Sequence, residues 1–283
     1  MYISTEIASF SKLGSNEEII KFLKDAGFTA YDYSMFYGGL ADELLYADDY
    51  VERAKKLRAY ADSVGLPCNQ AHAPFPTAKT GDDEYNKEAI WKIRRAIEVS
   101  GILGAKVCVV HPWNDYTPEE NAELYKNFEE TARKAGVKIG VENMWNWNGE
   151  KDHASAAACS HHDNFKAHMN LLPKDVFVAC LDIGHAEMRG LDTDAVRMIE
   201  TLDSDLQALH IHDNNCWHDN HALPFSMQID FEKIIDALKK VGYKGDVTLE
   251  SDTFMRRLPL ALYPQGARFM VDVANYIKER LEK

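Results

Sequence analysis

The chain has 283 residues, 46% hydrophobic and 27% charged, with a formal net charge of -13. That length and composition suit one large α/β domain and exclude a disordered chain. The negative field disfavours a polyanionic partner such as DNA and fits small neutral or metal-bridged substrates better.

Residues 1–10 show no leader pattern, and no run approaches the roughly 18 apolar residues of a membrane span, so a cytoplasmic protein away from membranes is expected. Eight β-rich runs alternate with amphipathic segments. Strands are expected at 2–5, 30–33, 67–71, 106–111, 138–143, 176–182, 208–213 and 246–250. Runs such as Val107-Cys108-Val109-Val110 are apolar throughout, as in parallel strands buried on both faces. Between them lie helix signals. Ser15 with Glu18, and Thr117-Pro118-Glu119-Glu120, read as capping boxes. Ile90, Ile93 and Ile97, and later Phe231, Ile234, Ile235 and Leu238, recur at helical spacing. Gly27, Gly65, Gly136 and Gly242 read as helix stops. The expectation is a single (β/α)₈ TIM barrel over residues 1–283. A doubly wound sheet is the alternative, but no GxGxxG follows the first strand. The loop 145–160 is long, polar and irregular, and would overhang the top face as a lid, a specificity loop or a solvated insertion. Cys68, Cys108, Cys159, Cys180 and Cys216 form no CxxC pair and read as reduced cysteines.

In a barrel the active site lies at the carboxyl ends of the strands. Six runs here end on metal-capable residues. They lead to His72, His111, Glu142, Asp182 followed by His185, His210-Ile211-His212-Asp213, and Glu250. A lone histidine at a strand end is usually structural, but six such endings together are not expected by chance. Glu142, Asp182 and Glu250 could not be buried together without a cation. Carboxylates with an imidazole suit Mn²⁺ or a similar ion, and further histidines tilt the set toward Zn²⁺; Mg²⁺ and Co²⁺ are the other options.

At Val141-Glu142-Asn143, Leu181-Asp182-Ile183-Gly184-His185 and His210-Ile211-His212-Asp213-Asn214, followed by Asp219-Asn220-His221 and Ile229-Asp230-Phe231, the sequence resembles the xylose isomerase-like TIM barrels. That superfamily holds sugar isomerases, ketose 3-epimerases, inosose dehydratases and endonuclease IV. The resemblance spans essentially the whole chain; the sequence departs from it at Leu223-Pro224-Phe225-Ser226, where relatives usually show a Pro-Gly pair. Carried over by position, it implies that Glu142, Asp182, His210 and Glu250 hold one divalent metal, with His185 beside it against substrate. In endonuclease IV-like members, His72 and His111 join Glu142 around a second ion, and His185, Asp219 and His221 hold a third, for up to three Zn²⁺. It also implies a homodimer or homotetramer.

The favoured reading is a metal-dependent sugar or sugar phosphate isomerase or epimerase. Glu142 and Glu250 would pass a proton at the carbon beside the carbonyl, through an enediolate. The alternatives are an endonuclease IV-like phosphodiesterase, an inosose-type dehydratase on the same centre, and a barrel that only binds sugars. Trp113, Trp145 and Trp147, with Phe36 and Tyr37, are candidate sugar platforms, although loop packing explains any single one. Arg256 and Arg257 are candidates for gripping a phosphate or carboxylate, whereas Lys79 and Lys151 read as surface charge.

Overall fold

The computed structural model describes residues 1–36 and 40–283. Among them the chain runs β1 (Ile3–Thr5), α1 (Asn16–Ala26), β2 (Tyr31–Ser34), α2 (Leu40–Tyr46), α3 (Tyr50–Val64), β3 (Cys68–His72), α4 (Asp83–Leu103), β4 (Val107–Val110), α5 (Pro118–Ala135) and β5 (Lys138–Glu142). It continues through β6 (Asn146–Asn148), β7 (His153–Ser155), α6 (His162–Leu171), β8 (Phe177–Asp182), α7 (Ile183–Ala186), α8 (Ala195–Leu202), β9 (Leu206–His210), α9 (Phe231–Lys240), β10 (Val247–Leu249), α10 (Asp252–Arg256) and α11 (Tyr263–Glu282).

Strands β2, β3, β4, β5, β8 and β9 pair in that order, and β1 pairs with β10. Two parallel bridges close the ring, Glu6 with Asp32 and Ile211 with Leu249. Main-chain bonds support both closures, Ile7 N to Asp32 O at 3.1 Å and Glu250 N to Ile211 O at 3.0 Å. The result is the expected eight-stranded parallel barrel. Val107, Val109, Val178, Cys180 and Ala208 fill its interior, and a larger apolar layer lies between strands and helices.

The local signals act where they were read. Ser15 and Thr117 accept from the backbone of Glu18 and Glu120 in complete capping boxes, and Pro118 opens α5. Gly27, Gly65 and Gly136 end their helices in the left-handed region. Phe231, Ile234, Ile235 and Leu238 all face the core from α9.

Two expectations are corrected. The seventh barrel strand runs from Leu206 to His210, not over 208–213. Leu206 already pairs with Ala179, Ile211 adds only a bridge to Leu249, and beyond it Asp213 makes an antiparallel bridge to Ala222. The loop 145–160 is not irregular either. It contains an antiparallel hairpin that pairs Asn146 with Ser155, Trp147 with Ala154 and Asn148 with His153. Tyr37 lies outside the described residues.

Candidate metal centre

Four strand ends deliver one donor each to the floor of the barrel mouth. Glu142 closes β5, Asp182 closes β8, His210 closes β9, and Glu250 follows β10; all four are buried. One ligand atom from each lies within 4.8 Å of the others. His210 Nδ1 stands 3.1 Å from Glu142 Oε1 and 3.4 Å from Glu250 Oε2. Asn143 fixes the spacing: its Nδ2 donates to Asp182 O at 2.9 Å and its Oδ1 accepts from Asp182 N at 2.8 Å, locking the ends of β5 and β8 together.

Two further groups surround this inner centre. His72 and His111 bring their Nε2 atoms 3.0 Å apart, at 3.4 and 3.0 Å from Glu142 Oε2. On the other side His185, His212, Asp219 and His221 form an outer cluster whose ligand atoms also lie within 4.8 Å. His212 joins the two, with Nε2 3.1 Å from Asp182 Oδ1 and 3.4 Å from Asp219 Oδ1.

The tautomers reveal what these groups need. His72 Nδ1 is 2.7 Å from Ala73 O, His185 Nδ1 is 2.9 Å from Asn143 O, and His221 Nδ1 is 2.9 Å from Glu250 O. A carbonyl oxygen can only accept, so each Nδ1 carries the hydrogen and each neutral Nε2 is a bare lone pair. Those Nε2 atoms nonetheless face carboxylate oxygens, His72 at Glu142 and both His185 and His221 at Asp219 Oδ2, at 3.2 and 3.1 Å for the latter two. Lone pair against lone pair is repulsive unless a proton or a metal ion lies between. Glu142 Oε2, Asp182 Oδ2, Asp219 Oδ1 and His212 Nε2 are buried without a hydrogen-bond partner. Donor chemistry and orphaned atoms together fit a cation-binding site.

The protein's own field sorts the acids. Burial would raise Glu142, but His210 and His111 outweigh it and hold its carboxyl well below the usual range. Burial dominates at Glu250 and pushes it well above that range, against the pull of His210 and His221. Burial would lower His185, yet Asp182 and Asp219 lift it to about 10. Burial lowers His111 to about 4, leaving its imidazole neutral and available as a ligand.

Above the floor lies a cavity of about 290 Å³ bounded by both glutamates, His72, His111, His185, Asp219, His221, Met144, Trp145, Phe36 and Phe75. Trp145 is thus at the site. Trp113 is held elsewhere, its indole donating to Thr80 Oγ1 at 3.2 Å, and Arg256 pairs with Asp252 outside the cavity lining. Phe75 and Asp32 received no role from the sequence, and His212 was read only as part of the His210-Ile211-His212-Asp213 run. Phe75 stacks on His111 at 4.6 Å and 21°. Asp32 Oδ2 lies 3.8 Å behind His210 Nε2 and accepts from Gln70 at 3.0 Å. The alternation of His210 and His212 about Ile211 was the available signal for His212, since residues two apart in extended chain share a face.

Known proteins share this arrangement of chain. MJ1311, an uncharacterized protein of Methanocaldococcus jannaschii, is 28% identical over 64% of this chain, and the match spans 63% of that protein's length. A crystal structure of a D-tagatose 3-epimerase-like protein superposes with a TM-score of 0.74 at 22% identity, over 100% of this chain and 97% of the other. The IolI protein with a bound zinc atom superposes at 0.73 and 17% identity, over 99% of this chain and 98% of the other. The model of the xylose isomerase-like TIM barrel matches residues 20–273, nearly the whole ring with its strand-end donors, and the chain belongs to that family.

Proposed function

We propose that the chain is a divalent-metal-dependent isomerase or epimerase of a small, uncharged sugar or polyol-ketone. One observation carries the reading: two buried glutamates from different strands, both members of the four-donor inner set, face one small cavity. A cation held by Glu142, Asp182, His210 and Glu250 would stabilise negative charge developing on a substrate carbonyl oxygen. Glu142, ionised, is suited to take the proton from the carbon beside that carbonyl. Glu250, on another strand, is suited to give one back from another side. Among the described residues no lysine or arginine lines the cavity, which favours an uncharged substrate over a phosphorylated one. The volume, near the lower end for small-molecule pockets, matches a monosaccharide. Phe36, Phe75 and Trp145 offer apolar walls for the C–H faces of a sugar.

The test is hydrogen exchange. Incubating the metal-loaded protein with a panel of ketoses and polyol-ketones in deuterated water should place one deuterium beside the carbonyl of at least one compound. No wash-in across the panel would refute proton-transfer chemistry.

A second reading, a multi-zinc phosphodiesterase, draws on the two further donor groups beside the inner four, His72 and His111 with Glu142, and His185, His212, Asp219 and His221. The net charge of -13 and a cavity that, among the described residues, no lysine or arginine lines oppose it. Metal counting separates the two. About one ion per chain supports the isomerase; three zinc ions would favour the phosphodiesterase.

A further inference from the structure

The hairpin of β6 and β7 is a fixed ledge beside the cavity. Ala154 N bonds Arg189 O at 3.1 Å, Met144 N bonds Ala158 O at 3.2 Å, and Ala158 N bonds Asn114 O at 3.0 Å. Asn114 Nδ2 donates to Trp145 O and to Asn146 Oδ1 at 3.2 and 2.9 Å. Beneath it Ala154, Met188 and Leu191 are buried, with Trp145 packed on them. Both neighbouring loops therefore hold the hairpin.

On this ledge Trp147 is 42% exposed. It stands edge-on to Trp145 at 6.4 Å and 79°, and Trp145 stands edge-on to His185 at 6.4 Å and 65°. His218 backs Trp147 at 5.8 Å and 25°. A run of rings thus leads from the cluster in the cavity wall out to solvent. An indole on a fixed ledge, one ring away from the wall of a sugar-sized cavity, offers an apolar surface to whatever extends out of that cavity. Trp147 does not line the cavity, which holds about one sugar ring, so a molecule touching both has a second ring.

We infer that Trp147 and His218 form an outer subsite for the second sugar of a glycoside, so that the substrate is a keto-sugar bearing a glycosidic substituent. This rests on the inner cavity being a sugar site. The indole stacks on the C–H face of the outer ring, while the reacting ketose sits over Glu142 and Glu250.

Binding of D-fructose and of its glucosides turanose, maltulose and isomaltulose to the metal-loaded protein, followed by calorimetry and saturation-transfer NMR, tests it. At least one glucoside should bind roughly tenfold more tightly than fructose, the scale of one aromatic contact. Trp147→Ala should remove that advantage and leave fructose unchanged, and Trp147→Phe should restore most of it. Equal affinity for fructose and all three glucosides, or equal weakening of both in Trp147→Ala, overturns the outer subsite and leaves the sugar reading intact. A change of oligomeric state in Trp147→Ala, with glucoside binding unaltered, overturns it in favour of contact between copies. Binding of none of the four sugars overturns the sugar reading itself.

Discussion

The inner centre and the outer cluster sit side by side on one barrel mouth but are built differently. The inner set, Glu142, Asp182, His210 and Glu250, has three carboxylates and one imidazole, each at or just past the end of a barrel strand. The outer set, His185, His212, Asp219 and His221, has three imidazoles and one carboxylate, all carried after the strand ends. Oxygen-rich sets suit Mn²⁺ or Mg²⁺, and imidazole-rich sets suit Zn²⁺. The lesson is a division of labour. Strand ends carry the inner donors, and α7 and the loop after β9 carry an imidazole-rich set joined to Asp182 through His212.

The largest expected effect breaks or upholds that division directly. Glu142→Gln should lower deuterium exchange by about 10³-fold, the scale of a lost general base. His221→Ala, in the outer set, should lower it by no more than about tenfold. If the two variants fall equally in the exchange assay, the outer cluster is part of the chemistry and the single-centre isomerase is wrong.

Glu6 sharpens the comparison, because it is a buried carboxylate with no imidazole to answer it. It accepts from Ser9 N at 3.0 Å and Ser34 Oγ at 3.1 Å, yet burial, with Asp252 nearby, raises it to about 7. Its folded value lies above the unfolded 4.5, so between the two the native state holds more protons than the unfolded state. Stability from this group is therefore present below about pH 4.5 and is lost as pH rises through 7. The rise is equivalent to about 3 kcal/mol at most. Urea unfolding from pH 5 to 8 should show Glu6→Gln gaining on the wild-type chain as pH increases. A constant difference between them would show that Glu6 ionises normally.

Behind the inner centre, Asp32 Oδ2 stands 3.8 Å from the far nitrogen of His210. Asp32→Asn should weaken binding of Mn²⁺ or Zn²⁺ by roughly 10- to 100-fold, as loss of a supporting carboxylate does. Chelator competition reads this without any substrate. Unchanged affinity would make Asp32 a partner of Gln70 alone.

The inner set was legible in the sequence because its members terminate apolar runs, where a titratable group is conspicuous. The capping boxes and glycine stops were legible for a similar reason, since each is a local bargain between neighbours in the chain. The outer set was legible in all but one member. His185, Asp219 and His221 stood out, but His212 did not, because its role depends on Asp182 and Asp219 arriving from elsewhere in the chain. The hairpin was hidden as well. Asn146-Trp147-Asn148 and His153-Ala154-Ser155 are three-residue strands with little apolar content, fixed by Asn114 and Arg189 from neighbouring loops. Asp213 read as one more acid in a metal-like motif. Its oxygens accept from the backbone of Asn214, Met227, Gln228 and Ile229, so it shapes a loop.

The smallest effect expected on exchange concerns the link between the two sets. Gly184, in α7, is where His212 enters: a Cβ there would fall 1.9 Å from His212 Cε1 and 2.5 Å from both ring nitrogens. His212 is fully buried and stacked on His221 at 4.0 Å and 10°, so the ring has little room to move aside. Gly184→Ala should therefore displace His212, lowering stability by about 1–3 kcal/mol, the usual range for overpacking. Asp182 keeps its donor from His185 N at 2.7 Å and its lock to Asn143, so the inner four stay in place. Thermal unfolding should register the loss, while deuterium exchange at saturating metal should change by only a few-fold. An exchange rate as low as that of Glu142→Gln in a folded Gly184→Ala protein would mean that His212 governs Asp182, and the two sets would have to be treated as one centre.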